Sequence, residues 1–595
     1  MSTAILTGPP VPGSSLEGDL RSLGFDVRSA ADPSEAAKLL DETPSGERVA
    51  LVDPRFVGHL HSLRLGLTDP RFPAAAVPGA FTAQSEARTA LNRALRTAPA
   101  AGTPDAVADA LDAEGVAVQR PELGALVAAV PADQLSRTQA EQAVAAVDDE
   151  AIRLRTAVKS RDGFFTTYCI SPYSRYIARW CARRGFTPNQ VTTASLITAL
   201  IAAGCAATGT RGGYVAAGLL LLFSFVLDCT DGQLARYSLQ YSTMGAWLDA
   251  TFDRAKEYAY YAGLALGAIR GGDDVWALAL GAMVLQTCRH VVDFSFNEAN
   301  HDATGLGKLS LASPTAALST KLDSVGWTVW VRRMIVLPIG ERWAMIAVLT
   351  AVTTPRIVFY ALLVGCAFAA CYTTAGRVLR SLTRRATRTD RAAQALVDLA
   401  DSGPLAESVA KGAARRPGGG FLAPALAFVA TAVLLAGALL SGGTWTFVGT
   451  AVVYAFLSGL AVAAPLKGAL DWLAPPFFRA AEYCTILVLA VKADVAGALP
   501  AAFGLVAAVA YHHYDTVYRI KGGTGAPPSW LVRAVGGHEG RTLVVAVLAA
   551  LSTTIDFPLA LTVMAVVIAL VVLAESIRFW VSSGAPAVHD EGEPA

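Results

Sequence analysis

The chain has 595 residues, of which 53% are hydrophobic and 16% charged, and its formal net charge is +1. With a mean hydropathy of +0.43, this composition is typical of an integral membrane protein and argues against a wholly soluble one. The near-neutral charge gives no support for a nucleic-acid partner, and the eight cysteines, which form no CxxC pair, indicate neither a zinc site nor a disulfide framework.

Residues 1–150 are rich in Ala, Asp, Glu and Pro with only short apolar runs, which predicts a small soluble domain. The runs "TAILTG", "FDVRSA", "RVALVDP" and "LGALVAAV" predict strands, and "SLEGDLRSLG" and "DPSEAAKLLDE" predict capped helices. Such alternation favours an α/β domain with a parallel sheet. The prolines in "TGPPVPGSS" argue against a phosphate-binding loop, since proline has no backbone N–H. The first residues lack the features of a signal peptide, which predicts a cytoplasmic N-terminus.

Residues 170–185, "ISPYSRYIARWCARRG", predict an amphipathic helix with Tyr173 and Trp180 on one face and Arg179 and Arg183 on the other. We interpret it as a helix lying in the membrane interface. The alternative is an ordinary surface helix packed on the soluble domain.

Twelve later segments are apolar enough to suggest membrane spans, each needing roughly 20 residues. They lie near 191–209, 213–229, 245–269, 275–296, 342–354, 356–379, 421–441, 443–465, 480–496, 498–514, 541–556 and 558–577. The predicted fold is therefore a multi-span α-helical integral membrane protein, with a six-helix core, about six further spans and a small N-terminal α/β cytoplasmic domain.

The distribution of basic residues predicts the orientation. Lys and Arg flank the spans on one side at Arg153, Arg155, Lys159, Arg161, Arg332, Arg333, the Arg384–Arg391 cluster and Arg578. With an even number of spans, both termini lie in the cytoplasm, and the protein is predicted to reside in the cell membrane. The predicted regions are a soluble domain at 1–150, a membrane domain at 151–385, a basic flexible linker at 386–420, a second membrane domain at 421–580 and a disordered tail at 581–595.

Four aspartates lie at the cytoplasmic edge of the second and third spans. Asp228 and Asp231 are three residues apart, and Asp249 and Asp253 are four apart, so each pair lies on one face of its helix. Carboxylates removed from water need a compensating cation. An all-oxygen site suits Mg²⁺ or Mn²⁺, and we expect two ions with a diphosphate as their natural ligand.

Small residues and one arginine surround these aspartates. Gly232, Ala235 and Gly245 provide the close approach to helix backbone that a nucleotide requires. Arg236 lies one turn beyond Asp231, where it can assist with phosphate charge.

The stretch Asp228-x2-Asp231-Gly232-x2-Ala235-Arg236-x8-Gly245-x3-Asp249-x3-Asp253 resembles the signature of the CDP-alcohol phosphatidyltransferase family, with every signature position filled. The resemblance covers about residues 155 to 385, including "TPNQVT" before the first span. It implies six transmembrane helices, a homodimer in the lipid bilayer, and transfer of a phosphoalcohol unit from a CDP-alcohol to a hydroxyl acceptor with release of CMP.

The same resemblance implies roles for the signature residues. The four aspartates would bind the metals, with Asp253 also acting as the base on the attacking hydroxyl. Gly232, Ala235, Arg236 and Gly245 would line the nucleotide site, and the chemistry would be a two-metal displacement.

A finer resemblance concerns "AVKSRDGFFTTYCISPYSRYIARW" and "LPIGERW". Both are similar to the bifunctional enzymes that join an inositol-phosphate cytidylyltransferase to a di-inositol-phosphate phosphate synthase. Residues 1–150 lack the Gly-rich, basic loop of that cytidylyltransferase, so we interpret them as a degenerate nucleotidyltransferase-like domain. The donor is then either CDP-diacylglycerol or a soluble CDP-polyol such as CDP-inositol, with inositol phosphate as a candidate acceptor.

A phosphorylated acceptor would need a basic pocket. The candidates are Arg289, His290, Arg377 and Arg380. For Arg289 the alternative is pairing with Asp293, and for Arg377 and Arg380 it is anchoring at the cytoplasmic face.

Two other questions stay open at this level. The aspartates could serve a cation-coupled transporter or lipid-handling protein, or form a structural ion-pair network with Arg236 and Arg254, although neither explains the glycine and alanine positions. The second membrane half could bind the lipid product, extend a dimer surface or carry a second activity. Its His512 and Asp515 suggest a metal site or, more simply, interface hydrogen bonds.

Overall fold

The computed structural model describes residues 2–97, 103–159, 162–301, 336–383, 388–413 and 420–582. Some predictions fall outside these ranges. They are the basic residues Arg161, Arg332, Arg333, Arg384 and Arg385, most of the Gly-rich linker, and nearly all of the C-terminal tail.

The N-terminal region is an α/β unit, as predicted. Its strands are β1 Ser2–Thr7, β2 Phe25–Ala30, β3 Arg48–Val52, β4 Val57–Gly58, β5 Ala74–Val77, β6 Ala80–Ala83, β7 Val118–Gln119 and β8 Ala128–Ala129. Its helices are α1 Leu16–Ser22, α2 Pro33–Glu42, α3 Leu60–Leu67, α4 Arg88–Thr97, α5 Pro104–Ala113, α6 Gln134–Ala145 and α7 Asp149–Thr156.

The main sheet has the strand order β2-β1-β3-β6-β5-β7 and is mixed rather than wholly parallel. Strands β1, β2 and β3 are parallel, but β6 runs antiparallel to both β3 and β5. The prediction of a parallel sheet was wrong here because β5 and β6 form a hairpin closed by Pro78 and Gly79. Gly79 has φ +79°, which a glycine adopts without strain and which permits this two-residue turn.

Two local predictions in this domain have different outcomes. Helix α2 is capped by Asp32, whose carboxylate accepts a 2.9 Å hydrogen bond from the Glu35 backbone N–H, as its sequence indicates. The segment "LGALVAAV" forms a strand only at Ala128–Ala129, paired with β4. Its Gly124 has φ +58°, a left-handed conformation that does not continue a strand.

Helix α7 and the end of a membrane helix hold the N-terminal domain in place. The Arg153 guanidinium lies 3.5 Å from the centroid of the Tyr237 ring, and its Nε donates to the Tyr237 carbonyl at 2.8 Å. The Tyr237 hydroxyl in turn donates to Glu150 at 2.8 Å. Because Tyr237 follows Arg236 directly, the domain is attached beside the signature segment.

The rest of the described chain is helical. The first membrane half contains α8 Ser171–Arg183, α9 Pro188–Ala207, α10 Arg211–Ser238, α11 Thr243–Arg270, α12 Trp276–Asn300, α13 Ile339–Val352 and α14 Pro355–Thr383. The second contains α15 Asp390–Ala400, α16 Pro404–Ala413, α17 Leu422–Ser441, α18 Trp445–Ala461, α19 Ala474–Ala493, α20 Ala498–Lys521, α21 Ser529–Val535, α22 Gly537–Ala550 and α23 Phe557–Ser582.

Each of the twelve predicted spans coincides with one of these helices. Within the described ranges, six helical segments are long and apolar enough to cross a membrane: Pro188–Ala207, Arg211–Ser238, Pro355–Thr383, Leu422–Ser441, Asp471–Ala493 and Phe557–Ser582. The protein is therefore a multi-pass membrane protein. The total of twelve stays a prediction, because the other six helices are shorter or more polar.

Exposed apolar side chains agree with a lipid surrounding. Leu219, Val364 and Leu440 are 62%, 71% and 87% exposed, and a surface with many large exposed apolar side chains is unfavourable in water. Helix α8 packs on α10 and buries Ser174 and Ala178, while its aromatic residues stay exposed. Its position in the membrane interface remains a prediction.

Two glycines bring helix α11 against α9. A Cβ atom at Gly263 would lie 2.4 Å from the Ala203 carbonyl oxygen, and one at Gly267 would lie 2.1 Å from the Ala206 oxygen. Real Cβ atoms do not approach backbone so closely. These two glycines therefore allow α11 to pack closely against the backbone of α9.

We predict that His61 makes the stability of the N-terminal domain dependent on pH. His61 is 4% exposed, and burial together with the nearby Arg153 lowers its pKa to about 4. The unfolded chain binds a proton near pH 6.5, so this contribution is fully present above that pH and is lost as the pH falls towards 4. The free energy of unfolding should fall between pH 7 and pH 4. In His61→Phe this fall should be smaller, by up to about 3 kcal/mol. Hydrogen exchange of β1 and β3 measures it, and an unchanged pH slope in the variant would contradict the prediction.

Candidate metal and nucleotide site

The site is formed where α10 ends and α11 begins. Helix α10 stops at Ser238, and Leu239 then adopts a left-handed conformation with φ 52°. Ser242 caps α11 by accepting a 2.9 Å hydrogen bond from the Gly245 backbone N–H. This short connection places the last turns of α10 beside the first turns of α11, as the spacing of the aspartates predicts.

Three of the four predicted aspartates lie close together. One carboxylate oxygen from each of Asp228, Asp249 and Asp253 lies within 4.8 Å of the other two. Three such oxygens suit a hard divalent cation. The cluster can therefore hold a metal ion, as predicted, and it combines one residue from α10 with two from α11.

The fourth aspartate, Asp231, lies outside this group of three. It is only 4% exposed, and its Oδ2 atom has no hydrogen-bond partner in the described part of the chain. A buried carboxylate oxygen without a donor is costly. This unpartnered acceptor beside the cluster fits a cation.

The sequence analysis did not identify Lys256, which neutralises part of the cluster. Its ammonium donates a hydrogen bond to Asp228, lies 2.8 Å from Asp253 Oδ1 and donates to Ser195 Oγ at 3.2 Å. The residue is 1% exposed. Its position three residues after Asp253 puts it on the same helix face, so the spacing argument applied to the aspartates would also have found it.

The small signature residues have different surroundings. A Cβ at Gly245 would lie 2.9 Å from Asn189 Oδ1 and from Ser242 Oγ, so a side chain there would displace one of these groups. A Cβ at Gly232 would come no closer than 3.5 Å to any atom, the nearest being the Arg236 guanidinium. Packing therefore does not explain Gly232, whereas a bound ligand would.

The phosphate contact predicted for Arg236 stays a prediction. The Nε atom of this residue donates a 2.6 Å hydrogen bond to the Ala157 carbonyl, in the segment between α7 and α8. Arg254, which belongs to the alternative of an ion-pair network, pairs with Glu257 at 2.7 Å.

The predicted acceptor residues lie on α12 and α14. Arg289 is 7% exposed and donates to the Val336 carbonyl through Nη2, while its Nε and Nη1 have no partner in the described residues. Asp293, its predicted alternative partner, forms an ion pair with Arg377.

His290 connects these residues to the aspartate helix. Its Nδ1 shares a 2.5 Å hydrogen bond with the Tyr514 hydroxyl. The Tyr514 ring centroid lies 5.3 Å from the guanidinium carbon of Arg254, the residue after Asp253. The second membrane half therefore contacts the region of the candidate site through Tyr514.

His512 and Asp515 in the second half have separate partners. His512 lies 3.1 Å from Asp401, while Asp515 accepts from Ser576 at 2.6 Å and from Trp580 at 2.8 Å. These contacts support the interpretation of the two residues as interface hydrogen-bonding groups.

Two family models match separate parts of the chain. Residues 186–355 match the CDP-alcohol phosphatidyltransferase family, which confirms the resemblance over that range. Residues 390–595 match a model described as "Family of unknown function (DUF5941)".

Curated relatives agree with the first of these matches. The chain is 30% identical over 142 residues to a phosphatidylinositol phosphate synthase of Streptomyces avermitilis, covering 24% of this chain and 54% of that protein. It is 32% identical over 114 residues to a bifunctional IPC transferase and DIPP synthase of Aquifex aeolicus, covering 19% and 26%. It is 30% identical over 113 residues to an archaetidylinositol phosphate synthase of Pyrococcus horikoshii, covering 19% and 58%. The matched regions thus span between about a quarter and three fifths of these relatives.

We predict that a divalent cation and the Lys256 ammonium compete for the same carboxylates. Lys256→Met leaves Asp228 and Asp253 buried without this partner. In the absence of divalent cations, the free energy of unfolding of the variant should therefore be about 3 kcal/mol lower. Added Mg²⁺ or Mn²⁺ should then raise its Tm more than that of the unmodified protein. Thermal unfolding in detergent measures both effects.

Lys492→Met is the matched control, since Lys492 donates only to helix-end carbonyls in the contacts described, at 2.7 Å from Leu439 O and 3.3 Å from Ala438 O. An equal cation response in the two variants would contradict the competition.

Proposed function

We propose that the chain is a membrane-bound CDP-alcohol phosphotransferase that uses Mg²⁺ or Mn²⁺, with two ions at the site. It would move a phosphatidyl or phosphopolyol group from a CDP-alcohol to a hydroxyl acceptor and release CMP, in phospholipid biosynthesis. The observation that carries this proposal is the cluster of Asp228, Asp249 and Asp253 within a complete family signature. The proposed orientation places the site and both termini on the cytoplasmic side of the plasma membrane.

The roles of the residues follow from their positions. Asp228, Asp249 and Asp253 would hold the cation, with the free Oδ2 of Asp231 available as a further ligand. A bound divalent cation would neutralise the diphosphate and stabilise the departing CMP. Gly232 leaves the open surface that a nucleotide needs, because a side chain there would fill it.

Asp253 is proposed to accept the proton of the attacking hydroxyl. The hydroxyl oxygen forms a bond to the phosphorus that carries the alcohol, the bond from that phosphorus to the CMP oxygen breaks, and the proton passes to the carboxylate. Lys256, at 2.8 Å from Asp253 Oδ1, would orient this carboxylate.

We propose inositol phosphate as the acceptor. Two of the relatives are named phosphatidylinositol phosphate synthase and archaetidylinositol phosphate synthase. Arg289 supports a phosphorylated acceptor, because its Nε and Nη1 groups are buried without a described partner and a phosphate would satisfy them. His290 and Arg377, which lies on α14 and pairs with Asp293, are proposed to complete this pocket.

The donor is proposed to be made elsewhere. Residues 1–150 lack a Gly-rich phosphate loop, and we propose that this domain is a degenerate nucleotidyltransferase that no longer makes a CDP-alcohol. CDP-diacylglycerol and CDP-inositol both remain as donors for the assay below.

We predict CMP release by the detergent-purified protein in the presence of Mg²⁺. CDP-diacylglycerol and CDP-inositol are each offered with inositol phosphate, inositol or glycerol phosphate, and CMP is quantified by chromatography. Asp253→Asn should lower the rate by about 10²-fold or more, since it removes the proposed base and a metal ligand.

The control is Asp556→Asn, at a residue that caps α23 by accepting a 2.9 Å hydrogen bond from the Leu559 N–H. Asparagine caps helices about as well, so activity should be retained. Absence of CMP release with every donor and acceptor would contradict the proposal and favour the alternative of a cation-coupled transporter or lipid-handling protein.

We predict that Arg289→Gln weakens binding of a phosphorylated acceptor selectively. The loss of charged hydrogen bonds should raise the KM for inositol phosphate by about tenfold or more, while the KM for the CDP-alcohol should change little. Arg356→Gln is the control. Arg356 lies at the start of α14 and pairs with Asp273, which follows the end of α11 and so lies away from Asp249 and Asp253. Equal increases in both KM values would show that Arg289 acts on the fold and not on the acceptor.

A further inference from the structure

A short sequence in the second membrane half repeats the segment that carries Asp249 and Asp253. Residues 247–258 read "WLDATFDRAKEY", and residues 472–483 read "WLAPPFFRAAEY". Seven of the twelve positions are identical: Trp, Leu, Phe, Arg, Ala, Glu and Tyr recur at the same spacing. Both segments lie at the start of a long helix, the first on α11 and the second on α19.

Two further pairs of segments follow in the same order along the chain. Residues 342–351, "RWAMIAVLTA" on α13, align with residues 541–550, "RTLVVAVLAA" on α22, with five identities in ten positions. The pattern His-x2-Asp at His290 on α12 recurs at His512 on α20. Three separate matches in one order are the signature of an internal repeat.

The repeated residues make the same contacts in both halves. On α11, Arg254 pairs with Glu257 at 2.7 Å, and Arg342 from α13 lies 3.4 Å from the same carboxylate. On α19, Arg479 pairs with Glu482 at 3.0 Å, and Arg541 from α22 lies 2.5 Å from that carboxylate. Each glutamate therefore binds one arginine three residues before it and a second arginine from the helix that corresponds in sequence.

The packing order of the helices is also the same. In the first half α8 packs on α10, α9 on α10 and α11, α10 on α13, and α12 on α14. In the second half α16 packs on α18, α17 on α18 and α19, α18 on α22, and α20 on α23. The two helix bundles agree in sequence, in ion pairs and in helix packing. Agreement in all three argues against a chance resemblance.

We infer that the described helices within residues 404–582 are a second copy of the membrane fold formed by the described helices within residues 171–383. In its described residues the second copy lacks the metal site, and it serves as a built-in partner of the first copy. Asp249, Asp253 and Lys256 correspond to Ala474, Phe478 and Ala481. Residues 461–470, which follow the second helix of the copy, contain no Asp or Glu.

Aromatic packing fills the place that corresponds to Asp253. The Phe478 ring stacks on His538 with centroids 4.5 Å apart and an interplanar angle of 12°. His538 also shares a 2.7 Å hydrogen bond with the Tyr454 hydroxyl. The second copy is thus closed where the first holds its carboxylates.

The two copies contact each other reciprocally. Helix α12 packs on α19, its counterpart α20 packs on α11, and α12 and α20 pack on one another. Since α11 corresponds to α19 and α12 to α20, the contact uses equivalent surfaces on both sides, as in a two-fold symmetric dimer. The second copy therefore covers the face that a second chain would otherwise use.

One contact across this interface leads to the candidate site. The Tyr514 hydroxyl shares a 2.5 Å hydrogen bond with His290, and the Tyr514 ring lies beside Arg254. Tyr514 is 4% exposed. It is a positioning residue for His290, a role that rests on the proposed function, whereas the duplication rests on sequence and packing alone.

The built-in partner is tested by the mass of the full chain in detergent. Multi-angle light scattering should give a protein mass of one chain, 62.0 kDa. Particles containing two chains would overturn the inference. Mn²⁺ titration should show binding that Asp249→Asn/Asp253→Asn abolishes, and binding retained in that variant would overturn the absence of a metal site in the second copy.

The positioning role is tested by Tyr514→Phe, with Tyr454→Phe as the control. The Tyr454 hydroxyl shares a 2.7 Å hydrogen bond with His538, within the second copy. Tyr514→Phe should raise the KM for the acceptor about fivefold with little change in kcat or in the KM for the donor. Equal effects of the two variants would overturn the positioning role.

The two proposals fail differently. If no donor and acceptor pair yields CMP, the phosphotransfer proposal fails, while the mass and the Mn²⁺ titration still decide whether the second half is a built-in partner without metal. If CMP forms from a two-chain particle, the phosphotransfer stands and the built-in partner is excluded.

Discussion

Neutralisation of the buried carboxylates near the end of α10 and the start of α11 is the main electrostatic requirement of this helix bundle. Asp228, Asp249 and Asp253 crowd their negative charge into a few ångströms, and uncompensated charge of this kind is incompatible with a membrane helix bundle. Lys256 supplies one positive charge from within the bundle. The remaining negative charge would favour a divalent cation, so stability and the proposed chemistry would have the same electrostatic origin.

Around this centre the bundle uses fixed ion pairs rather than apolar packing alone. Glu257 holds Arg254 and Arg342 together, and Glu482 does the same for Arg479 and Arg541. Buried ion pairs contribute little net stability, but they penalise every arrangement that separates their members. In both halves they therefore define which helices are neighbours. These ion pairs also occur in the half without the aspartates, which indicates that they serve the fold.

The N-terminal domain is joined to the membrane core at the end of α10, next to the candidate site. Arg153 and Glu150 bind Tyr237, and Arg236 binds the Ala157 carbonyl. The end of α10 is thereby held by the soluble domain on one side and by the turn into α11 on the other. Movement of this domain would be transmitted to the helix end that carries Asp228 and Asp231, because both lie within three turns of these contacts.

Local hydropathy and the 3.6-residue helical period were enough to predict the membrane class, the positions of twelve helices and the helix faces that carry the aspartates. The same period would have identified Lys256. They could not predict that Asp231 stands apart from the other three aspartates, that Asp293 pairs with Arg377, or that β6 runs antiparallel in the sheet. The inferred second copy can be recognised in the sequence only weakly, because it lacks the signature aspartates. The ion pairs and helix contacts make the repeat clear. Such features depend on which distant segments meet, and long-range packing, unlike local periodicity, leaves no fixed spacing to read along the chain.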